Sequence, residues 1–440
     1  MDNREYIIKH RHEDVRRLAL SRAEQGVDMP FCLRQIEAWQ KACTKLPRWA
    51  ETDDILFPPR INMEQCSSQA TAEYKRDLIL RLLPEHRSSM ADLTGGFGVD
   101  FSFLSPLFEK AVYVERDADL CQIASHNMPL LGASHAQVIC ADAEQFLEDA
   151  SQQDLLFLDP ARRDDSGRKV VALHDCSPDV GALSPRLLSL ARVVVVKLSP
   201  MLDIEMALQS LPSVCEVHTV SVDGECRELL LVLSASASSP TYHCVNLGRH
   251  PQFFITAERH TQPRMAHALD RYLYEPNASI LKAGVQDALC QTYGMGKLHP
   301  FSHLFTSGEL CKDFPGRHFL VEDFTTCGKR EIRSFLKDVP QANLSVRNFP
   351  STVAQLRKQW RVAEGGEIYL FATTLSDDTH VLVRCRKVGL DVCHRLSQSV
   401  PVGTKRGWIS ESVTCLYMLF AIFCRVLALY GIIFANFVQY

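Results

Sequence analysis

Four carboxylates in this chain each follow a short apolar run, and they do so in an order that suggests ligand chemistry. Asp92 opens the string Asp92-Leu-Thr-Gly-Gly-Phe-Gly-Val-Asp100. Glu115 ends Ala111-Val-Tyr-Val114, Asp142 follows Ala136-Gln-Val-Ile139, and Asp159 follows Leu155-Leu-Phe-Leu158 and begins Asp159-Pro-Ala-Arg-Arg163. Gly95, Gly96 and Gly98, beside Thr94, would let the backbone approach a ligand at a strand-to-helix turn, where helix N-terminal amides favour anionic groups. An acid placed as Glu115 is can accept both hydroxyls of a ribose, and Asp142 can accept the exocyclic amino proton of an adenine. Asp159 and Pro160 fall at the C-terminal end of a fourth strand, beside the crevice where open α/β sheets hold ligands. Each has a plain alternative: a Gly-rich turn, an exposed carboxylate, a helix N-cap, a carboxylate closing a turn. Packing alone does not select all four in this order. Phe101 stands where the dinucleotide fingerprint GxGxxG would continue toward its third glycine, which argues against NAD or FAD.

These residues need a scaffold, and the rhythm of the chain supplies one. From Glu5 to about Leu46 apolar residues recur at helical spacing, so residues 1–84 read as a helical N-terminal region, with Ser67 or Ser68 capping a helix that stops at Pro84. Over 85–236 short apolar runs alternate with helical stretches, ending in Val193-Val-Val-Val196, Val214 to Val222 and Leu229 to Leu233. That alternation predicts an α/β fold with a mostly parallel sheet and a hairpin at its end, turned at Asp223-Gly224. The small, polar stretch Ser234 to Pro240 reads as a linker, with two small units beyond it at 241–291 and 297–388.

Composition narrows the partners. A net charge of -4, with 46% apolar and 23% charged residues, gives a soluble globular protein without whole-molecule attraction to nucleic acid or membrane. The sixteen cysteines contain no CxxC pair, and the charged N-terminus is unlike a signal peptide, so a reducing cytoplasm with free thiols is expected. His299, His303 and Cys311 have no regular ligand spacing, and no metal site is expected.

The motifs Asp92 to Gly98, Glu115, Asp142 and Asp159-Pro160 resemble those of class I S-adenosylmethionine-dependent methyltransferases, although Thr94 replaces the first glycine of that family's turn. More closely, the span from Phe57 to Val388 looks like Bacteroidetes methyltransferases carrying a ferredoxin-like and a THUMP-like domain. Its most specific strings are Met63-Glu-Gln-Cys-Ser-Ser68, Thr71-Ala-Glu-Tyr-Lys75, Leu273-Tyr-Glu-Pro-Asn-Ala-Ser-Ile-Leu-Lys282 and Val346-Arg-Asn-Phe-Pro350. The resemblance implies a Rossmann-like, seven-stranded, mostly parallel sheet over 85–236, small α+β domains that are ferredoxin-like (241–291) and THUMP-like (297–388), S-adenosylmethionine as cofactor, and an RNA substrate through the THUMP association. Asp92, Thr94, Gly95, Gly96, Gly98, Glu115 and Asp142 would then hold the cofactor. Asp159, or the Pro160 carbonyl, would orient an acceptor nitrogen toward the methyl group.

The acceptor end departs from two known chemistries. Ala161 and Arg162 stand where amino-methylating enzymes of nucleic acids have proline and an aromatic ring, which removes the stacking platform for a flipped base. Lys197-Leu-Ser-Pro200 stands where uridine-C5 methyltransferases need a nucleophilic cysteine. Arg162, Arg163 and Lys197 would form a positive rim able to contact phosphates, unless the arginines pair with Asp164 and Asp165.

Between residues 316 and 361 nine Lys or Arg (317, 329, 330, 333, 337, 347, 357, 358, 361) stand against four acids (322, 323, 331, 338), with Phe349 and Trp360 among them. Such a patch suits structured RNA; a solvated helix face explains it equally. Residues 389–440 fall outside the resemblance. Within them 413–438 is nearly all apolar around Arg425, which leaves a shifted reading frame, a membrane anchor or a packed helix open. Expected first is an enzyme that methylates RNA at a base nitrogen; the alternatives are a methyltransferase of protein or small molecules, and an RNA-binding protein with a non-catalytic pocket.

Overall fold

A computed structural model describes residues 1–21, 24–162, 173–235 and 239–389. Residues 1–388 form one compact unit. The apolar segment 413–438 and Arg163 lie outside the described residues.

The chain opens with helices α1 (Asn3–His10), α2 (Val15–Ala19), α3 (Met29–Lys45), α4 (Pro47–Glu51), α5 (Arg60–Gln65) and α6 (Gln69–Leu82). Local chemistry fixes their ends. Asp2, Asp14 and Asp28 each accept a backbone N–H at the start of α1, α2 and α3, and Ser68 does so for α6. Helix α6 ends at Leu82 with Leu83 as its cap, two residues before Pro84, which could not continue it.

Strands and helices then alternate: β1 (Ser89–Asp92), α7 (Val99–Leu104), β2 (Lys110–Glu115), α8 (Ala118–Leu130), β3 (Ala136–Cys140), α9 (Ala143–Asp149), β4 (Gln153–Leu158). After a two-residue ribbon of β5 (Ala161–Arg162) with β6 (Cys176–Ser177) come α10 (Val180–Leu190), β7 (Ala191–Leu198), α11 (Ile204–Ser210), β8 (Val214–Val222), β9 (Glu225–Leu233), β10 (Thr241–Leu247) and β11 (Gln252–Thr256). They build one sheet in the order β11-β10-β8-β9-β7-β4-β1-β2-β3.

The α/β architecture is the expected one, but the sheet is mixed and has nine strands, rather than seven mostly parallel ones. Two features account for this. The hairpin at Asp223 and Gly224, both at positive φ, inserts β9 between β7 and β8 and antiparallel to each. Thr241 to Leu247, beyond the linker-like stretch, then pairs parallel with β8 along seven residues, and β11 pairs antiparallel with β10. Strand β8 would otherwise present a bare edge, and pairing satisfies its backbone groups while Tyr242 and Cys244 join the core. Residues 241–256 thus belong to the large sheet.

Successive residues of the central strands face opposite cores. Leu156 and Leu158 pack with Ile204, Leu211 and Val217 on one face, and Leu155 and Phe157 with Trp49, Met63 and Leu78 on the other. Burial on both faces is why these strands read as unbroken apolar runs.

The rest of the chain comprises β12 (Tyr272–Pro276), α12 (Ala278–Ala283), α13 (Ala288–Tyr293), β13 (Gly296–Lys297), β14 (Phe305–Ser307), β15 (Gly316–Thr326), α14 (Lys329–Phe335), β16 (Asn343–Arg347), α15 (Val353–Trp360), β17 (Ile368–Thr374) and β18 (His380–Lys387). Its strands form a single sheet, β13-β14-β12-β15-β18-β17-β16. This sheet curls into a half-barrel: Arg347 on the β16 edge reaches buried Glu275 on β12, which also accepts from its cross-strand neighbour Arg317. Among the described residues no helix is long and apolar enough to cross a membrane.

Candidate active site

The C-terminal ends of β1, β2, β3, β4 and β7 open onto one cavity of about 900 Å³. Asp92, Thr94, Gly95, Gly96, Gly98, Glu115, Asp142, Asp159, Pro160 and Lys197 all line it. Five residues of the N-terminal region, Asn62, Glu64, Gln65, Cys66 and Ser67, close it from the side. The Arg162 side chain and Arg163 lie outside the described residues.

At one end the backbone dominates. A Cβ at Gly95 would sit 2.1 Å from the ring of Tyr113, and Gly98 has φ +84° with Met128 2.5 Å from its missing Cβ, so neither position admits a side chain. The Glu115 carboxylate accepts N–H bonds from Gly96 (2.8 Å) and Asp117 (3.0 Å), which hold its side chain at the rim of the turn. Asp142 begins α9 but makes no capping hydrogen bond with its side chain; its carboxylate is exposed, so the N-cap alternative does not account for it. Thr94, the departure from the glycine turn, accepts an N–H bond from Asp159 at 2.5 Å. Its hydroxyl ties the glycine turn to the strand end that carries the other half of the cavity.

At the other end charge dominates. The Lys197 ammonium donates to Asp159 and lies 3.4 Å from Asp100; it is 7% exposed. Behind it Lys75, 1% exposed, pairs with Asp100 at 3.0 Å and with Glu228, and donates to Ser67, whose hydroxyl bonds Asp100 at 2.7 Å. Burial alone would lower the Lys197 ammonium, but Asp159, Asp100 and Glu228 outweigh it and hold its pKa well above the usual value. Lys197 is therefore charged and engaged at the floor of the cavity, not displayed on a phosphate-contacting rim. Burial raises the Asp159 carboxyl, with Asp100 and Glu228 pushing the same way and Lys197 opposing; its side chain remains 39% exposed on the cavity wall, where an acceptor can meet it. Burial also raises Asp92 well above the carboxylate range, against the N–H bond from Thr94. Three carboxylates, Asp100, Asp159 and Glu228, thus gather around the ammonium groups of Lys75 and Lys197.

Lys75, Ser67, Asp100 and Glu228 were not among the residues expected to act here. One signal was present. In α6 the buried positions include Thr71, Ala72, Leu78 and Ile79, and Lys75 sits in that same stripe. A lysine on the core face of an amphipathic helix needs a buried counter-charge. Glu228, 153 residues away, has no local signal at all.

In the C-terminal half the basic segment divides. Arg317 and Arg347 clamp Glu275, and Arg357 donates to the carbonyls of Ala342 and Val362. Lys329, Arg330, Arg333, Lys337, Lys358 and Arg361 are exposed. Phe349 and Trp360 pack partly buried against the small core of this region rather than standing free.

A ferredoxin-like domain model matches residues 272–315 and a THUMP domain-like model matches 316–387. The two share the curled sheet. A solved structure assigned as a methyltransferase from Porphyromonas gingivalis W83 is 33% identical, with a TM-score of 0.78, and the match covers 88% of this chain and 98% of that one. A protein from Pyrococcus horikoshii assigned as an RNA methyltransferase (17% identity, TM-score 0.27, 35% and 71% of the two chains) also matches. So does an rRNA methylase from Streptococcus thermophilus (14%, 0.30, 38% and 98%). At such low similarity these last two add nothing to the argument. No functionally curated protein matches. At one-third identity along almost the whole of the Porphyromonas protein, this chain belongs to the family of Bacteroidetes class I methyltransferases that carry ferredoxin-like and THUMP-like domains at the C-terminus.

Proposed function

We propose that this chain transfers a methyl group from S-adenosylmethionine to a base nitrogen of a structured RNA. The observation that carries the reading is the division of a single cavity into a backbone-lined end, with Glu115 and Asp142 at its rim, and a charged end, with Asp159 exposed over Lys197.

The residues fit that cofactor. Glycines 95 and 98, where a Cβ has no room, leave main chain rather than side chains against the ligand. Glu115 is held in place by two amides and keeps acceptor capacity for ribose hydroxyls. Asp142 has no partner within its own helix and is open to an adenine amino group. When bound, the cofactor supplies an electrophilic methyl group.

Every other task falls to the chain. Asp159 accepts a hydrogen bond from the acceptor's N–H, turns its lone pair into the cavity and takes up that proton as the nitrogen–methyl bond forms and the methyl–sulfur bond breaks, so that positioning and proton acceptance fall on one group. Lys197 opposes the effect of burial on Asp159 and fixes its carboxylate in place. The N-terminal wall from Asn62 to Ser67 narrows access for water. The six exposed cations on and after α14 and at the end of α15 support RNA as the acceptor, because their sites are free for phosphates.

Labelled S-adenosylmethionine incubated with RNA, DNA, protein and metabolite fractions from a strain lacking the gene tests both halves of the reading. Label in RNA is the expected result, and label confined to protein or metabolites removes RNA while leaving the transfer intact. Filter binding of RNA across a salt series should weaken steeply as salt rises; binding that ignores salt contradicts phosphate contacts.

A further inference from the structure

Away from the cavity, Glu216 and His218 lie two residues apart on one face of β8, and His243 on β10 is the direct parallel partner of His218. The two imidazoles stack at 4.4 Å with their planes 14° apart. Both present Nε2 to one carboxylate oxygen, Oε2 of Glu216, at 2.8 Å from His218 and 3.7 Å from His243. One ligand-type atom from each residue lies within 4.8 Å of the others. A tetrahedral ion with bonds of about 2.0–2.2 Å holds its ligand atoms about 3.4 Å apart. The two separations to Glu216 bracket that distance, and one imidazole would turn out of the stack to bring both in-plane lone pairs onto the ion.

Two further observations point to an ion. The His218 Nδ1 is hydrogen-bonded to the Tyr74 hydroxyl at 2.7 Å, the outer partner that fixes the ring and its tautomer in metal-bound histidines. His243, by contrast, makes no hydrogen bond among the described residues; its Nε2 is aimed at a carboxylate it does not reach.

We propose that Glu216, His218 and His243 bind one divalent transition-metal ion of the zinc class, which displaces Arg81 from Glu216. Two imidazoles and a carboxylate are the donor set such ions take, with a fourth position left to water. Arg81 holds both Glu216 oxygens and is the competitor: its side chain is 49% exposed and can swing into solvent. The ion would tie β10 to β8 behind α6, the helix that carries Tyr74 and Lys75. Sequence spacing gives no hint of this, because the third ligand arrives through strand pairing across the linker-like stretch.

The test uses the full-length chain, stripped with a chelator and titrated with Zn2+ alone by calorimetry, then with Co2+ as a spectroscopic probe. One ion should bind. His243→Gln should weaken binding by more than about a hundredfold, Tyr74→Phe by about 10–100-fold, and Arg81→Gln should tighten it by removing the competing cation. Should His243→Gln fail to fold, the exposed Arg81 position decides: unchanged or weaker zinc affinity in Arg81→Gln overturns the proposal. A thiolate-to-cobalt charge-transfer band would also overturn it, since it places the ion on cysteines.

Discussion

The two ends of the cavity are built by opposite means. The end with Gly95, Gly96, Gly98, Glu115 and Asp142 is assembled from strand ends and turns, and the bonds of the Glu115 carboxylate run to residues at most 19 apart, as from Gly96 to Glu115. The end with Asp159 is assembled from charges brought together over 97 residues for Lys197 and Asp100 and over 153 for Lys75 and Glu228. Thr94 joins the two through the Asp159 amide. Local construction suits a ligand common to a large family, whereas long-range construction lets the acceptor end vary without disturbing the turn. Altering the charged end should therefore change transfer and stability, and altering Glu115 or Asp142 at the local rim should change cofactor affinity alone.

The largest expected break is Asp159→Ala. Loss of a group that orients and accepts from the reacting nitrogen should lower transfer by about 10²–10⁴-fold, with cofactor affinity held within a few-fold. Incorporation of labelled methyl into the natural acceptor measures it; unaltered turnover removes Asp159 from the reaction. Next comes Lys75→Met, which leaves Asp100 and Glu228 buried without their shared cation. Breaking a buried pair on one side costs about 3–5 kcal/mol, read from urea unfolding. A loss below about 1 kcal/mol would mean that Lys197 and Ser67 alone satisfy those carboxylates. Smaller again is Glu115→Ala, which forfeits hydrogen bonds to a charged group, about 1.5–3 kcal/mol, and should weaken S-adenosylmethionine binding by about 10–100-fold in calorimetry. An unchanged dissociation constant would falsify its place at the ribose.

How much of this was legible in the sequence follows the same division. The local end could be read because each of its residues sits at the end of an apolar run, and strand ends are where period and composition change together. The strands, the hairpin at Asp223-Gly224 and the Ser68 cap were legible for the same reason. Lys197 was visible as a residue but misplaced: its sequence neighbours say nothing of Asp100, and only the pairing of β4 with β7 sets it beside Asp159. The extra strands were hidden because a small, polar stretch resembles a linker whether or not the next segment returns to the same sheet. The nine basic residues of 316–361 looked equivalent in sequence, yet a carboxylate at 275 withdraws two of them into the half-barrel.

The smallest effect sharpens the comparison furthest, because Asp92 and Asp100 belong to one nine-residue string and titrate in opposite senses. Burial raises Asp92 well above its ordinary value, and neither cation outweighs it. Burial opposes Asp100 too, but Lys75 and Lys197 overcome it and lower its pKa. The signs of linkage follow. Above the unfolded value of 3.8, unfolded Asp92 has lost its proton while the folded group keeps it, so this residue makes stability fall as pH rises toward the folded pKa. Asp100 contributes stability that is present above 3.8 and lost as pH falls through its lower folded pKa. Each slope is at most about 1.4 kcal/mol per pH unit for one proton. In urea unfolding followed across pH, Asp92→Asn should remove a decline above pH 4 and Asp100→Asn a decline below it. Equal slopes in the two variants would mean that the lysines reach both carboxyls alike, and that the boundary between the two ends of the cavity does not run between Asp92 and Asp100.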